Sequence, residues 1–334
     1  MSQIGVVAIG RNEGERLRHC LESVVQQVAQ VVYVDSGSRD RSVELARSLG
    51  VEVVELDLAI PFTAARARNA GFARLLELHP QMDYVQFVDG DCEVVSGWLA
   101  QAQQVLDTQP DVVVVCGRRR ERFPDATLYN RLCDLEWDTP VGEAKACGGD
   151  ALMRVSAIQA VGGYNPTLIA GEEPELCVRL RQAGGKILRI DAEMTWHDAQ
   201  MTRFGQWWKR AVRAGYAYAE GAFLHGAPPE KHWVKETRSI RLWGGIVPAI
   251  ALLAALPTHG WSLVLLAAYP LITVRIYQYA RRIGRSAADA WLFAGSCVLA
   301  KFPQMQGQMR FYWGKWFKRP SRLIEYNTPA ASSH

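Results

Sequence analysis

The sequence from Tyr84 to Asp91 is Y-V-Q-F-V-D-G-D, an apolar run that ends in two carboxylates separated by one glycine. The apolar run predicts a buried β-strand, and Gly90 permits a tight turn directly after it. Asp89 and Asp91 can then direct their oxygens at one hard divalent cation, whose remaining positions would go to phosphate oxygens. Acidic turns also follow strands where no metal binds, so the surrounding sequence has to separate the two interpretations.

Apolar runs alternate with helical patterns on the N-terminal side of this stretch. Ile4–Ile9 and Val31–Val34 are predicted as buried strands, and apolar side chains recur at helical spacing between them. Asp40 can cap a second helix that ends at Gly50, and Val51–Leu56 resumes strand character. This alternation predicts an α/β, Rossmann-like fold in which helices flank a mostly parallel sheet. Ligands of such sheets bind at the carboxyl ends of the strands.

Composition narrows the class of protein. The chain has 334 residues and 49% hydrophobic content, enough for a full core and for more than one ordinary domain. Its net charge is only +4, and many basic residues after Arg203 alternate with aromatic ones, which favours a membrane surface over nucleic acid as partner. The seven cysteines form no C-x-x-C pair, so neither a zinc module nor a disulfide framework is indicated. Ile4–Ile9 is too short for a signal peptide, and we expect a cytosolic catalytic part.

Two apolar stretches in the C-terminal part, Ser239–Leu256 and Gly260–Tyr277, are joined by a short turn. Each is near the lower length limit for crossing a bilayer, and basic residues at both ends of the pair favour a cytoplasmic position for both. A transmembrane hairpin over about residues 239–277 is the preferred interpretation, and a buried helical pair or a re-entrant hairpin is the alternative. We expect a further interfacial or re-entrant helix over about residues 287–303. The predicted division is a catalytic domain over residues 1–230 and a helical membrane-associated region over 231–334.

Polar residues also follow the first two predicted strands. Arg11 and Asn12 come after the first, and Asp35 ends the second in V-V-Y-V-D-S-G-S-R-D. A carboxylate at a strand end can accept a hydrogen bond from a uracil-type base or a ribose hydroxyl. The alternative for Asp35 is that it caps the turn that follows it.

Arg66 and Arg68 lie in A-R-A-R-N-A-G, a segment with few other charges. One of them can neutralise a diphosphate or hold a metal-binding aspartate in place. The alternative is a solvated helix face.

The ordered set of motifs resembles glycosyltransferase family 2, the large inverting family with the GT-A fold. The motifs are, in chain order, V-V-A-I-G-R-N-E, V-D-S-G-S-R-D, A-R-N-A-G, F-V-D-G-D, G-G-D-A-L-M-R and G-E-E-P-E-L-C-V-R, within about Ile4–Arg189. The resemblance implies that Asp35 contacts the nucleoside and that Asp89 and Asp91 bind the nucleotide with its Mg²⁺ or Mn²⁺. It also implies that an acidic pair supplies the catalytic base.

That acidic pair is Glu172 and Glu173, where the family more usually has Glu-Asp. Inverting transfer is a single displacement, so a carboxylate must take the proton of the acceptor hydroxyl as the new bond forms. Glu173 matches the base position, and Glu172 would orient it or the acceptor. The alternative for Glu173 is a helix N-terminal carboxylate favoured by the helix dipole.

The resemblance adds an acceptor loop and a third metal ligand. The loop that contains Gly149 and Asp150 would face the acceptor sugar, although Asp150 can also cap a helix. His197 follows an apolar run at the place where this fold class often has a histidine near the metal, and a packed, satisfied histidine is the alternative. Gln206–Arg210 departs from the Q-x-x-R-W order of processive synthases, so transfer of one sugar per encounter is expected.

The sequence thus predicts a metal-dependent inverting glycosyltransferase of cell-surface polysaccharide synthesis. We expect a nucleotide-diphosphate sugar donor, with UDP favoured, and a lipid-linked or growing glycan acceptor at the cytoplasmic face of the plasma membrane. A sugar nucleotidyltransferase and a non-catalytic carbohydrate-binding scaffold of a polysaccharide assembly are the alternatives. A dehydrogenase is disfavoured because no G-x-G-x-x-G follows a strand.

Overall fold

The structure is a computed structural model that describes residues 2–318. The chain forms two compact units, of which the first comprises residues up to Phe123 together with Glu136–Ala199. The second comprises Pro124–Leu135 and the residues from Gln200 onward. The division at 199 lies before the predicted domain boundary at 230, which as a functional boundary stays a prediction.

The first unit is built on one sheet flanked by helices. Its strands are β1 (Ile4–Gly10), β2 (Gln30–Asp35), β3 (Glu52–Glu55), β4 (Tyr84–Asp89), β5 (Cys92–Val94), β6 (Val112–Glu121), β7 (Gly142–Glu143), β8 (Ala151–Arg154) and β9 (Lys186–His197). Its helices are α1 (Glu15–Glu22), α2 (Ser42–Ser48), α3 (Ala64–Leu78), α4 (Trp98–Thr108), the C-terminal end of α5 (Leu128–Trp137), α6 (Val155–Ala160) and α7 (Glu172–Gln182).

The strand order is β3-β2-β1-β4-β8-β6-β9-β5, and β7 pairs with β9. The first four strands are parallel, as the alternating sequence pattern predicts. β6 and β9 are parallel to each other as well, so most strands run in one direction, whereas β8 enters between β4 and β6 antiparallel to both. β5 and β7 are also antiparallel to β9, so the sheet is mixed.

The antiparallel strands bring distant residues to the end of β4. Phe87 pairs with Ala151, which places Asp150 beside Asp89. Cys92 pairs with His197, which places the histidine beside Asp91. The site at this edge is therefore assembled from strands that are far apart in the sequence.

Helix α3 packs closely on β1 and β2 through a glycine. A Cβ on Gly71 would lie 2.4 Å from Val7 Cγ1 and 2.7 Å from Val34 Cγ2, so any larger residue would push the helix off the sheet. Thr63 caps the helix by accepting a hydrogen bond from Arg66 N at 3.1 Å. This close packing carries Arg68, near the N-terminal end of α3, to the carboxyl ends of the strands.

The second unit is helical. Besides most of α5 it contains α8 (Phe204–His225), α9 (Val234–Arg241), a π-helical turn (Leu242–Ile246), α10 (Val247–Leu253), a 3₁₀ segment (Trp261–Ala267), α11 (Ala268–Arg282), α12 (Ala287–Leu299) and α13 (Lys301–Trp316). A Cβ on Gly215 would lie 2.0 Å from Gln304 O, so α8 and α13 pack with their backbones in contact. This packing explains why α8 belongs to the second unit although the sequence-based division assigned it to the first domain.

The predicted hairpin has a counterpart in the turn that joins α10 to the 3₁₀ segment. Within residues 2–318, the helical stretch Trp261–Arg282 is the one that is long and apolar enough to cross a membrane by length and composition. The first predicted span, Ser239–Leu256, is divided between several short helical segments. A membrane position for these helices stays a prediction.

Candidate active site

Arg68 holds Asp89 at the end of β4. Asp89 Oδ1 accepts a hydrogen bond from Arg68 Nη2 at 2.7 Å, and Arg68 Nη1 donates to Glu172 Oε1 at the same distance. The Arg68 side chain is 3% exposed, so solvent screens neither ion pair strongly. Two roles were predicted for Arg66 and Arg68, and the contacts of Arg68 fit the role of holding the metal-binding aspartate in place.

Arg66 has different partners from Arg68. Its guanidinium donates to the main-chain carbonyls of Ile60 and Asp57, each at 2.8 Å. It therefore anchors the loop before α3. Phosphate binding by Arg66 stays a prediction that would require these bonds to be given up.

His197 lies between Asp91 and Glu121. His197 Nε2 lies 3.3 Å from Asp91 Oδ2, and Nδ1 lies 3.6 Å from Glu121 Oε2. The Trp137 ring lies 4.6 Å from the imidazole, centroid to centroid, at a steep angle. Burial disfavours the charged imidazole, but the Asp91 carboxylate outweighs burial and raises the pKa of His197 to about 9.

The donor atoms around Asp91 suit a divalent cation. Asp91, His197 and the thiol of Cys92 bring ligand atoms within 4.8 Å of one another. Carboxylate and imidazole are donors that Mn²⁺ accepts, and the Glu121 carboxylate lies 3.6 Å from the far ring nitrogen, on the side where metal-bound histidines usually have an acceptor. Asp89, the other predicted ligand, has one oxygen engaged by Arg68 and lies outside this three-residue group. These residues fit the predicted Mg²⁺ or Mn²⁺.

Arg119 forms a second ion pair beside Asp89, and the sequence analysis missed it. Its Nη2 lies 2.8 Å from Asp150 Oδ2 and 3.7 Å from Asp89 Oδ2. Its guanidinium lies 5.5 Å from the Trp137 ring centroid. The signal in the sequence was the basic run at Arg118–Arg122, which does not by itself show that one of its members turns inward.

Asp150 is fully buried beside Asp89. Its Oδ1 accepts from Asp89 N at 3.1 Å and its Oδ2 accepts from Thr195 Oγ1 at 2.9 Å, in addition to the Arg119 pair. The side chain is 0% exposed, because the direction of β8 carries Asp150 under the site, where it supports Asp89. Contact with an acceptor stays a prediction for Asp150.

Gly149 lies against the charged groups of the site. Its φ is 102°, and an added Cβ would lie 3.1 Å from Arg119 Nη2 and 3.6 Å from Asp89 Oδ2. Only glycine combines this backbone conformation with so close an approach. Contact with an acceptor stays a prediction for Gly149.

The two acids of the predicted catalytic pair have different partners. Both lie at the N-terminus of α7, where Gly171 precedes them with φ 79°. Glu172 is paired with Arg68, as described above. Glu173 is 4% exposed, and its Oε1 accepts from Cys147 N at 2.6 Å and from the thiols of Cys147 and Cys177 at 3.0 and 2.9 Å.

Asp35 and Asn12 stabilise the loops after β2 and β1. Asp35 accepts from Tyr33 Oη at 3.0 Å and from the main-chain N–H groups of Gly37 and Ser38 at 2.9 and 2.8 Å, which is the turn-capping alternative. Asn12 donates its N–H to Ser38 Oγ at 2.9 Å and accepts from Arg39 N at 2.7 Å. Arg11, next to it, is exposed. A nucleoside contact by these residues stays a prediction.

Glu13 is a further, partly buried acid that the sequence analysis missed. A Cβ on Gly90 would lie 3.3 Å from Glu13 Cγ, so Glu13 packs against the turn between Asp89 and Asp91. Burial, with a contribution from Asp91, raises the pKa of Glu13 to about 7. Its position directly after R-N in the loop following β1 was the available signal.

The sequence is similar to those of known glycosyltransferases. Residues 6–156 match the model of glycosyl transferase family 2, a stretch that includes Arg68, Asp89, Asp91 and Arg119. The succinoglycan biosynthesis protein ExoA of Rhizobium meliloti is 30% identical over 54% of this chain and 58% of its own length. The pre-mycofactocin glycosyltransferase of Mycobacterium tuberculosis is 27% identical over 66% of this chain and 48% of its own. Residues 6–156 thus resemble a glycosyl transferase family 2 domain.

The fold also resembles that of solved glycosyltransferases. A mannosyltransferase from Pyrobaculum calidifontis, in complex with GDP-Man and Mn²⁺, has a TM-score of 0.58 and 19% identity and covers 94% of this chain and 88% of that chain. At this identity the likeness concerns the fold, which is of the GT-A type. The chain spans between 33% and 71% of the length of the first curated relatives it matches.

Proposed function

We propose that the chain is a metal-dependent inverting glycosyltransferase that takes a sugar from a nucleotide-diphosphate donor. The observation that supports this most directly is the distance of 3.3 Å between Asp91 and His197, because Asp91 comes directly after β4 in the stretch that matches the glycosyl transferase family 2 model. A solved structural relative carries GDP-Man and Mn²⁺. UDP remains the favoured nucleotide for this chain, on the motif resemblance.

The residues of the site would have different roles in binding the donor. Asp91 and His197 would hold Mg²⁺ or Mn²⁺, and a cation there would neutralise charge on the departing diphosphate. Arg68 and Arg119 fix Asp89 in advance, so its carboxylate needs little reorganisation when a donor arrives. Gly149 lets the neighbouring loop approach the same carboxylate closely.

Glu173 is the proposed base. The contacts of Glu172 commit it to an ion pair with Arg68. Glu173 is held by an amide and two thiols, which are neutral donors, and its charge stays available for the proton of an attacking hydroxyl. Glu172 would then hold Arg68, and through Arg68 also Asp89, in a fixed position relative to the base.

The acceptor is proposed to be a lipid-linked or growing glycan at the cytoplasmic face of the plasma membrane. The second unit exposes large apolar side chains, among them Leu253 at 82%, Leu256 at 90% and Trp261 at 79%. Surfaces of this kind are typical of protein or membrane contacts. A catalytic domain held at the bilayer would meet a lipid-linked sugar there.

The test is a panel of nucleotide sugars incubated with Mn²⁺, with release of nucleoside diphosphate as the readout. One donor should be hydrolysed with Mn²⁺ and spared with EDTA, and Asp91→Asn should behave like the chelated protein. Glu173→Gln should lower the rate by about 10²–10⁴-fold, with nucleotide affinity by calorimetry unchanged. Glu172→Gln is the matched comparison and should lose less.

Two outcomes would contradict the proposal. Failure to hydrolyse any donor of the panel, by protein that binds nucleotide, would favour a non-catalytic scaffold. Release of pyrophosphate from a nucleoside triphosphate and a sugar phosphate would instead indicate a nucleotidyltransferase.

A further inference from the structure

Three donors converge on one oxygen of Glu173. The main-chain N–H of Cys147 lies 2.6 Å from Oε1, and the thiols of Cys147 and Cys177 lie 3.0 and 2.9 Å from the same atom. The two sulfurs are 4.0 Å apart. Cys147 is 7% exposed and Cys177 0% exposed, so water does not compete for this oxygen.

The two thiols come from different parts of the chain. Cys177 follows Glu173 by four residues on α7, so both side chains share one face of the helix. Cys147 lies in the loop that leads through Gly148 and Gly149 to β8. Glu173 therefore links the loop beside Asp89 to the helix that carries the acidic pair.

We propose that Cys147 and Cys177 are positioning residues that fix one oxygen of Glu173, so that the other is left to take the acceptor's proton. The inference rests on the proposed role of Glu173 as base. A glutamate has one more methylene than the aspartate usual in the family, and thus one more rotatable bond to restrain. Two thiol donors and an amide on the same oxygen supply that restraint.

The physical argument concerns orientation. A buried carboxylate whose hydrogen bonds are removed either rotates to find new partners or remains unsatisfied at a free-energy cost. Misplacement of a reacting group by about 1 Å costs roughly 10²-fold in rate. Loss of both thiols should therefore reduce turnover, while the donor site keeps its affinity because its proposed metal ligands, Asp91 and His197, lie on other elements of the fold.

The experiment compares Cys147→Ala/Cys177→Ala with Cys147→Ser/Cys177→Ser and with a control, Cys116→Ala. Cys116 is a 2% exposed thiol of the same core, on β6, so its loss leaves a void comparable to that left by one of the two cysteines. The readout is hydrolysis of the nucleotide sugar that the wild-type protein turns over fastest, with calorimetric binding of the matching nucleoside diphosphate and Mn²⁺. The double alanine variant should lose on the order of 10–100-fold in kcat with unchanged nucleotide affinity. The serine variant should recover part of this, since a hydroxyl also donates.

A second measurement does not depend on turnover. The infrared S–H stretching bands of the wild-type protein should include two that move to higher wavenumber in Glu173→Gln, because an amide oxygen accepts more weakly than a carboxylate. The same two bands should be absent from the double alanine variant. Bands that are unchanged by Glu173→Gln would overturn the inference.

The outcomes separate the inference from the proposed function. Equal rates in the double alanine variant and Cys116→Ala would overturn the positioning role while leaving the glycosyltransferase proposal intact. A serine variant no better than alanine would mean that the thiols serve packing alone, and would also overturn it. If no nucleotide sugar is hydrolysed, the proposed function has failed, and the infrared bands then decide whether the thiols hold Glu173.

Discussion

The first unit buries charged side chains, whereas the second exposes large apolar ones. In the first, Arg68 is 3% exposed and Asp150 is 0% exposed, and both stand in ion pairs around Asp89. In the second, Leu253, Leu256 and Trp261 are each at least 79% exposed. Both arrangements carry a free-energy cost in water, which indicates that each unit is shaped for something other than its own stability.

The contrast indicates that the first unit binds a charged ligand and that the second unit offers an apolar contact surface. Buried ion pairs hold acidic oxygens at the end of β4 in fixed positions, as a site for a charged donor requires. Exposed apolar side chains of this size are typical of a surface that contacts a protein or a membrane, and the proposed membrane position of the second unit would account for them. The predictions below test the two halves of this contrast, beginning with the larger expected effect.

The largest effect should follow the loss of Arg68. Arg68→Met would leave the buried Glu172 without this cation and the partly buried Asp89 with only Arg119, at 3.7 Å, and we expect the free energy of unfolding to fall by about 3–5 kcal/mol. Urea denaturation followed by circular dichroism measures it. Arg74→Met is the matched control on the same helix, because Arg74 pairs with Glu52 and Glu77 while its side chain is 38% exposed.

The control should lower the free energy of unfolding far less than Arg68→Met does, because exposed ion pairs contribute little to stability. If Arg68→Met lowered the free energy of unfolding no more than Arg74→Met does, the ion pairs of Arg68 would behave like exposed ones, and the contrast between the two units would not hold. A stable Arg68→Met protein with normal metal-dependent turnover would also show that Asp89 needs no fixed partner.

A smaller effect should follow removal of exposed apolar surface from the second unit. Leu253→Ser/Leu256→Ser/Trp261→Ser should reduce partition onto anionic phospholipid vesicles by at least about tenfold, because a large apolar side chain contributes roughly 1.5–3 kcal/mol when it leaves water. Co-sedimentation with the vesicles measures it. Salt should reduce binding further if basic residues contribute.

The matched control uses exposed apolar residues of the first unit. Leu78→Ser/Phe123→Ser/Val141→Ser changes side chains that are 36%, 52% and 55% exposed and should leave vesicle binding unchanged. Equal loss in both triple variants would mean that exposed apolar surface in general, and not the second unit, binds the bilayer. No loss in either would contradict a membrane role for these helices.

Sequence patterns predicted the parts of the site that end a parallel strand. Asp35, Asp89 and Asp91 follow apolar runs, and the structure has them at the ends of strands or directly after one. Arg119 and the burial of Asp150 were not predictable in this way, because both depend on β8 entering the sheet antiparallel to β4 and β6. Four residues of strand carry no local signal for direction. The contact between Glu173 and Cys147 was not predictable either, because the loop before β8 and helix α7 come together only in the folded chain.

The smallest effect concerns Glu220, an acid of the second unit that, within residues 2–318, has no ion pair like those around Asp89. Glu220 on α8 has a buried Oε2 without a hydrogen-bond partner among the described residues, and burial raises its pKa to about 7 although Lys315 opposes the shift. Between about pH 4.5 and 7 the folded state therefore holds a proton that the unfolded state has released, so the free energy of unfolding should decrease as pH rises through this range.

Because Glu220 is only partly buried, we expect a loss of about 1 kcal/mol between pH 5 and pH 8, or roughly 2–4 °C in Tm. Differential scanning calorimetry in one detergent at both pH values measures it. Glu220→Gln should remove this part of the pH dependence, whereas Glu236→Gln, an exposed acid of α9, should retain it. An unchanged slope in Glu220→Gln would mean that Glu220 finds a partner as good as those of the first unit, and that the two units do not differ in how they accommodate buried acids.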